Sequence, residues 1–450
     1  MNKIYIKQFG PVQEADIDID KKMQVFIGTQ ASGKSTVCKV VYFCQKIRDY
    51  TLDFLMDGNQ YFSNHKNEYY NLYLKYLTKQ FMGCFGKTTH MQKFRINYIF
   101  GNKQIDITLN QDGYIRFKFD NGLKENLNSL INEAAEMFLN ELNSNKINAI
   151  IDNITALALL KQQFRERLYK IFENNAEIIY IPAGRSLLAT MSEQLHDFSI
   201  ADMDLTMQEF INLIRNKKNK FGSKIPDMVK NYTKTVRGQI NNNALDMAYD
   251  LIKSIFKADY TSENDGEKIY FDERHWVKLM YGSSGQQEVL WILMLAFNII
   301  LENQKSFVII EEPEAHLFPI AQKDVISLIS LMLNSTDSKA IITTHSPYIL
   351  TSLNILLYSD KVERNSKGKR QAIINKNLRV NYKTFGAYKL ESGVNESNSM
   401  ENLLDEESHM ISTDYIDEVS SITNIELDKL LDLYKGEVNG KVRRSGSITL

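Results

Sequence analysis

Gly28-Thr29-Gln30-Ala31-Ser32-Gly33-Lys34-Ser35-Thr36 is a complete GxxxxGK[ST] loop, and no other stretch constrains the fold as strongly. Such a loop works only between a strand and a helix, because it must turn sharply and then present successive N–H groups at a helix N-terminus. The flanks fit: Val25-Phe26-Ile27 before it is apolar, and Val37 to Ile47 after it has helical spacing. Gly28 and Gly33 let the backbone wrap the β- and γ-phosphates of a nucleoside triphosphate, with Gln30, Ala31 and Ser32 forming the bend between them. Lys34 brings a charge against those phosphates, and the Ser35 hydroxyl, beside Thr36, suits Mg²⁺.

Lys305-Ser306-Phe307-Val308-Ile309-Ile310-Glu311-Glu312-Pro313 is an apolar run ending in two acids, the pattern of a buried parallel strand whose carboxyl end reaches a ligand. Glu311 is expected to hold Mg²⁺ and Glu312 to polarise an attacking water as general base. A second buried strand, Ala340-Ile341-Ile342-Thr343-Thr344, ends at His345-Ser346-Pro347, where the imidazole can bond a γ-phosphate and the same water. A lone histidine is ordinarily a packed or surface residue; here the strand and its threonines give it a role.

Tyr281-Gly282-Ser283-Ser284-Gly285-Gln286-Gln287-Glu288 precedes the apolar helix Val289 to Leu301. A serine hydroxyl and a Gly-flanked backbone at a helix N-terminus make a second anion site, with a plain helix cap as the simpler alternative. Position decides for the anion site, since the turn lies some two dozen residues before the Glu311-Glu312 strand.

Residues 1 to 49 and roughly 270 to 352 together resemble the ABC-type P-loop ATPases, in the branch of SMC proteins, RecF-like repair ATPases and OLD-family ATPases. The resemblance implies an α/β ATPase head with a mixed, largely parallel sheet, an antiparallel β-layer and a helical insert. It also implies that Ser283, Ser284, Gly285 and Gln286 contact the γ-phosphate held by the loop of a second subunit, so that ATP and Mg²⁺ are sandwiched in a homodimer or higher homo-oligomer. Glu311 to Pro319 looks particularly like the OLD and RecF-like pattern. Gly282 stands where the family has leucine, Ser284 where it has glycine, and no glutamine follows a middle strand. Ile178-Ile179-Tyr180-Ile181 with Pro182-Ala183-Gly184-Arg185 is placed at that middle position, with Arg185 near the nucleotide.

The chain, 450 residues at 43% hydrophobic content, can bury one large core and a smaller one. No uninterrupted apolar run reaches 18 residues, and Met1 to Ile6 reads as a first strand, so a cytoplasmic protein without a membrane partner is expected. Cys38, Cys44 and Cys84 lack metal-ligand spacing and disulfide arithmetic. A net charge of −1 leaves any nucleic-acid contact local.

Residues 1–49 and 94–186 are expected to form the first part of the head and 266–435 the second. Between them come an aromatic-rich helical insert, 50–93, and a helical lobe, 187–265. In the first insert Phe54, Tyr61, Phe62, Tyr69, Tyr70, Tyr73, Tyr76 and Phe81 suit amphipathic helices and core packing better than base stacking. Phe94 to Phe100, Gln104 to Leu109 and Tyr114 to Phe119 alternate around two glycine turns, an antiparallel meander, and Leu123 to Glu173 returns to helical spacing. In the lobe, Leu245, Ala248, Ile252 and Ile255 share one helical face. Arg215 to Lys220 with Lys224 forms the densest basic run there, read first as a solvated helix end and second as a phosphate-backbone contact; Lys361 to Arg370 reads as a loop between strands.

Asp16, Asp18 and Asp20 alternate with isoleucine as on a half-exposed edge strand. The region 353–435 shows no recognisable nuclease set; Phe385 to Leu390, Met400 to Leu404 and Ile411 to Val419 suggest strands, Ile425 to Tyr434 a closing helix, and 436–450 a disordered tail. These features lead to an ATPase whose ATP-bound dimer gates a separate nuclease or toxin, as the OLD-like ATPases of the anti-phage systems Septu and PARIS imply. A RecF-like or SMC-like DNA-binding repair ATPase is the alternative, which keeps nucleic acid open as a partner.

Overall fold

The structure, a computed structural model, describes residues 2–412 apart from 58–61, 63–67, 89, 92, 111, 144–149, 192–201, 236–240, 367–372 and 392–399, together with residue 425. Of the expected strand Ile411 to Val419 and closing helix Ile425 to Tyr434, residues 413–419 and 426–434 therefore lie outside the described residues, as does the 436–450 tail.

β1 (Lys3–Phe9) and β2 (Val12–Asp18) pair antiparallel and turn Ile4, Ile6, Ala15 and Ile17 inward at every second position. β3 (Met23–Ile27), buried throughout, feeds the glycine loop and then α1 (Lys34–Met56). α1 runs without a break through residue 50, so the start expected for the aromatic insert falls inside the helix. α2 (Tyr69–Phe85) follows, then the expected meander as β4 (Arg95–Phe100), β5 (Lys103–Leu109) and β6 (Ile115–Phe119). α3 (Asn121–Asn143) and α4 (Ile150–Phe172) lead to β7 (Glu177–Ile181) and the short α5 (Ser186–Met191).

The lobe comprises α6 (Leu205–Lys218), α7 (Ile225–Thr235) and α8 (Asn242–Phe256), the last burying Leu245, Ala248, Ile252 and Ile255 as its spacing requires. A small antiparallel sheet then appears that no pattern had marked: β8 (Asp259–Glu263), β9 (Gly266–Tyr270) and β10 (Trp276–Lys278). Its β8–β9 hairpin pairs Glu263 with Gly266, so the division expected at 265/266 lies within one unit. α9 (Ser284–Leu301), β11 (Ser306–Glu311), α10 (Pro319–Ser335), β12 (Lys339–Thr344) and α11 (Pro347–Ser366) complete the alternating pattern. Lys361 to Ser366 are thus the last turns of a helix, not a loop between strands; Arg364 pairs with Asp360 one turn earlier. β13 (Phe385–Leu390), β14 (Met400–Asn402), β15 (Leu404–Asp405) and β16 (Met410–Ile411) close the described chain.

The central sheet has the order β14-β13-β3-β12-β11-β7, parallel except for β14. It divides two cores by the period-two rule of strands. Val25, Ile310 and Ile342 face one core, filled by α5 to α11; Phe26, Ile309 and Ile341 face the other, filled by α1 to α4 and the β2-β1-β4-β5-β6 sheet. Most of the insert's aromatic residues are packing residues: Phe54, Phe62, Tyr73 and Phe81 are buried among rings such as Phe43, Phe117 and Phe119. Ser284–Leu301 has the length and mean hydropathy of a membrane span, yet 78% of it is buried inside the protein, which makes it a core helix.

The basic run of the lobe is largely spent on intramolecular pairs. Lys217 reaches Glu177 and Gln304, Lys218 reaches Glu267, Lys220 reaches Glu302, and Lys224 reaches Asp259 and the Tyr270 ring. These contacts tie the end of α6 to the sheet and leave little free charge for a phosphate backbone.

Candidate nucleotide site

Parallel register sets the site. Glu311 on β11 lies beside Thr343 on β12, and Thr344 beside Ile27 on β3, so the chain leaves three neighbouring strands at one level. Just beyond that level come Glu312, His345 and Gly28, although the three are far apart in sequence. A parallel sheet gathers ligand groups at its carboxyl edge in this way.

The loop adopts backbone angles that its glycines permit. Gly33 has φ +94° at the start of α1, and a Cβ there would meet the Val12 side chain at 2.8 Å; at Gly28 it would meet the Leu390 carbonyl oxygen at 2.2 Å. Ala31 takes φ 61° without that freedom. Lys34 is buried and donates to the Gly28 and Thr29 carbonyls at 2.9 and 2.8 Å, pulling the loop around its ammonium. Burial lowers its pKa, an effect opposed chiefly by the negative charge of Glu312 and, more weakly, by Cys38, Glu314 and Glu311. Gln30 and Ser35 are exposed, whereas Ser32 is buried against the lysine.

Glu311 is buried, one carboxylate oxygen accepting from the Ala183 N–H at 3.3 Å and the other having no partner among the described residues. An orphaned buried carboxylate oxygen and an exposed Ser35 hydroxyl fit Mg²⁺, which takes few protein ligands and completes its shell with phosphate and water. Among the described residues no cluster of three or more His, Cys, Asp or Glu could hold a metal by itself. The neighbours of Glu311 are pushed toward neutrality: burial first, and the Glu311 charge second, raise the pKa of the Cys38 thiol and the Tyr180 phenol.

Glu312 is half-exposed and held at φ 43°, a strained angle for a residue with a side chain. Its N–H donates to the Thr343 carbonyl at 3.0 Å, and its carboxylate stands 3.6 Å from His345 Nε2. Burial, then the Lys34 charge, lower the His345 pKa from 6.5 against the opposing pull of Glu312. The imidazole is thus kept neutral near pH 7. Glu314, which sequence reasoning passed over, steadies this edge: its carboxylate accepts from the Thr344 hydroxyl at 2.7 Å and the His345 N–H at 2.8 Å.

Arg185 is in the neighbourhood expected but does not face a ligand. It is wholly buried, and its guanidinium donates to the carbonyls of Pro182, Glu311, Glu312 and Glu288. The Glu288 carboxylate in turn accepts from the Arg185 and Ser186 N–H groups at 3.1 Å each. This arginine fastens the ends of β7 and β11 to the first turns of α9. No spacing rule pointed to it; the only signal was an arginine directly after an apolar strand.

The Ser283 turn is a helix cap, with its first two residues open to solvent. Ser283 caps α9 in a capping box with Gln286, and Ser283 and Ser284 remain exposed. Gly285 has no room for a side chain, since a Cβ would lie 2.7 Å from the His316 carbonyl oxygen. The Gln286 side chain is turned inward, holding the Ser283 N–H and the Phe256 carbonyl, so it does not present itself to a phosphate. Among the described residues no hydrogen bond or ion pair joins residues 283–286 to residues 28–36.

Residues 1–350, which hold every group of this site, match the AAA ATPase domain family. The chain belongs to that family. It therefore carries an ATP-binding ATPase domain of the phosphate-loop kind. Protein ea59 of Escherichia phage lambda is 31% identical over 110 residues, a match covering 22% of this chain and only 20% of that relative's length. Solved structures with a related course of chain include an Smc head bound to the C-terminal winged-helix domain of ScpA, at 11% identity, TM-score 0.41, covering 90% of this chain and 98% of that one. Another is the SMC head domain from Thermotoga maritima, at 11% identity, TM-score 0.34, covering 78% and 90%. Similarities of that size carry no argument here; the fold stands on its own strand order.

Proposed function

We propose that this AAA ATPase domain hydrolyses ATP between two copies of the chain. In this reading Gly28, Gln30, Ala31, Ser32, Gly33, Lys34, Ser35 and Thr36 bind the phosphates, Ser35 and Glu311 hold Mg²⁺, Glu312 takes the proton of the attacking water, and His345 orients that water. Bound Mg²⁺ would neutralise charge developing on the phosphate oxygens. Ser283, Ser284 and Gly285 of the second copy would close the site from the other side, with Gln286 holding their helix cap.

One observation carries the reading: the loop, both acids and the histidine converge at one sheet edge, while among the described residues the exposed Ser283 turn is bonded to none of the loop residues. The further reading is that ATP-driven closure gates a separate cytoplasmic nuclease or toxin in anti-phage defence. Its support is the likeness of Glu311 to Pro319 to the OLD pattern. The DNA-clamp alternative loses its main candidate surface to the ion pairs of Lys217, Lys218 and Lys220.

Complementation tests the shared site. Lys34→Ala should weaken ATP binding at least about thirtyfold by removing a desolvated charge from the phosphates, and Ser283→Arg should bind ATP but not turn it over. Mixed, the two variants form some dimers with one intact composite site, and part of the phosphate release should return. If subunits exchange and no activity returns, the shared site is wrong.

A pH profile tests His345. With its pKa depressed below 6.5, the imidazole stays neutral at pH 7 and protonates only as the pH falls further, adding positive charge beside Lys34. Hydrolysis should therefore show an acid limb below pH 6.5 that His345→Gln removes, whereas an unchanged limb assigns it to another group.

A further inference from the structure

Among the described residues β6 is an edge of the five-stranded sheet, bonded to β5 on one side only. Along its free side runs a groove of about 620 Å³, walled by β6, by one stripe of α2 and by the start of α3. Among the described residues its lining holds four cations, Lys75, Arg116, Lys118 and Lys124, and no carboxylate. None of Lys75, Arg116 and Lys118 is in an ion pair among the described residues, and Asp106, across the ladder from Lys118, is already bridged by Arg95. Lys124 lies over the Tyr70 ring, and Tyr114 is 72% exposed at the head of the strand.

The two faces of this edge differ. Phe117 and Phe119 turn inward, on the side where α2 contributes Tyr70 and Leu74; Arg116 and Lys118 stand exposed on the other side. A strand laid beside β6 would put alternate side chains against Tyr70 and Leu74 and the intervening ones beside Arg116 and Lys118. Cations on an edge repel a like-charged strand while accepting an acidic one. We propose that this groove takes an extended acidic segment of a partner protein, with apolar and carboxylate residues alternating, as a sixth strand of the sheet. The free ladder favours a peptide over a nucleic acid, because backbone amides can continue the hydrogen bonding and a phosphodiester chain cannot.

The probe is a fluorescein-labelled Val-Glu-Val-Glu-Val-Glu-Val peptide, read by anisotropy against the intact chain. Binding should weaken about tenfold or more in the exposed double variant Arg116→Glu/Lys118→Glu, whose circular dichroism should match wild type. It should be lost when alternate peptide amides are N-methylated, which keeps the charge and removes the ladder donors, and should be absent for the Val-Lys counterpart. Equal binding of the Val-Lys peptide, indifference to N-methylation or indifference to the charge reversal would each overturn the proposal. So would preferential binding of a labelled ten-nucleotide oligothymidine abolished by the same double variant, which would make the groove a nucleic-acid site. Concentration-dependent self-association removed by that variant would give the groove to a second copy and overturn the peptide assignment as well.

Discussion

Glu312→Gln should retain ATP and lose hydrolysis by about 100- to 10,000-fold, the usual contribution of a positioned general base. Glu312 follows β11 directly at a strained φ of 43°, its N–H pinned by Thr343 and its carboxylate 3.6 Å from His345, close enough for both side chains to bond one attacking water placed beside them. Glutamine keeps the shape but cannot take the proton. Phosphate release and binding of a fluorescent ATP analogue separate the two effects, and the variant should accumulate as an ATP-bound dimer in sedimentation. Hydrolysis equal to wild type would remove Glu312 from the chemistry. The trapped dimer is also the form to add to the product of a neighbouring gene: a change in that protein's nuclease or toxic activity, absent with Lys34→Ala, is expected if closure gates it.

Arg185→Met should destabilise the fold by about 3–5 kcal/mol, the cost of breaking a buried ion pair and stranding its partner. Four carbonyls lose their donor and the Glu288 carboxylate loses its ion-pair partner at 3.4 Å, and both side chains are almost fully buried, at 0% and 3% exposure. Arg185→Lys should recover only part, since one ammonium cannot span acceptors that a planar guanidinium serves at once. Glu288→Gln added to Arg185→Met should return some stability by removing the stranded charge. Denaturant unfolding of wild type, Arg185→Met, Glu288→Gln and the double variant forms the cycle; a change below about 1 kcal/mol for Arg185→Met would deny the arginine its fastening role. The same loosening should lower turnover, because Arg185 holds the main-chain oxygens of Glu311 and Glu312.

The features legible in the sequence are those with a local period or a fixed spacing. β3, β11 and β12 were visible as short apolar runs, the β4–β6 meander as alternation around two turns, and the Gly28 loop as a motif whose geometry is complete within nine residues. The β8–β10 sheet escaped because its strands are short and polar, burying Thr261, Glu267 and Lys268 beside Tyr260 and Ile269 without any apolar alternation. The last turns of α11 escaped because a basic run with Asn, Ser and Gly has a loop's composition.

The sequence by itself thus determined the phosphate loop, the acids and histidine at strand ends, and the alternating α/β plan, since each follows from neighbouring residues. Only the tertiary structure decided that Arg185 reaches Glu288, Glu311 and Glu312, that Glu314 steadies His345, and that Gln286 turns inward. Pairing between groups a hundred positions apart leaves no spacing to read, because it is set by which strands lie side by side and by the cost of burying a charge without a partner.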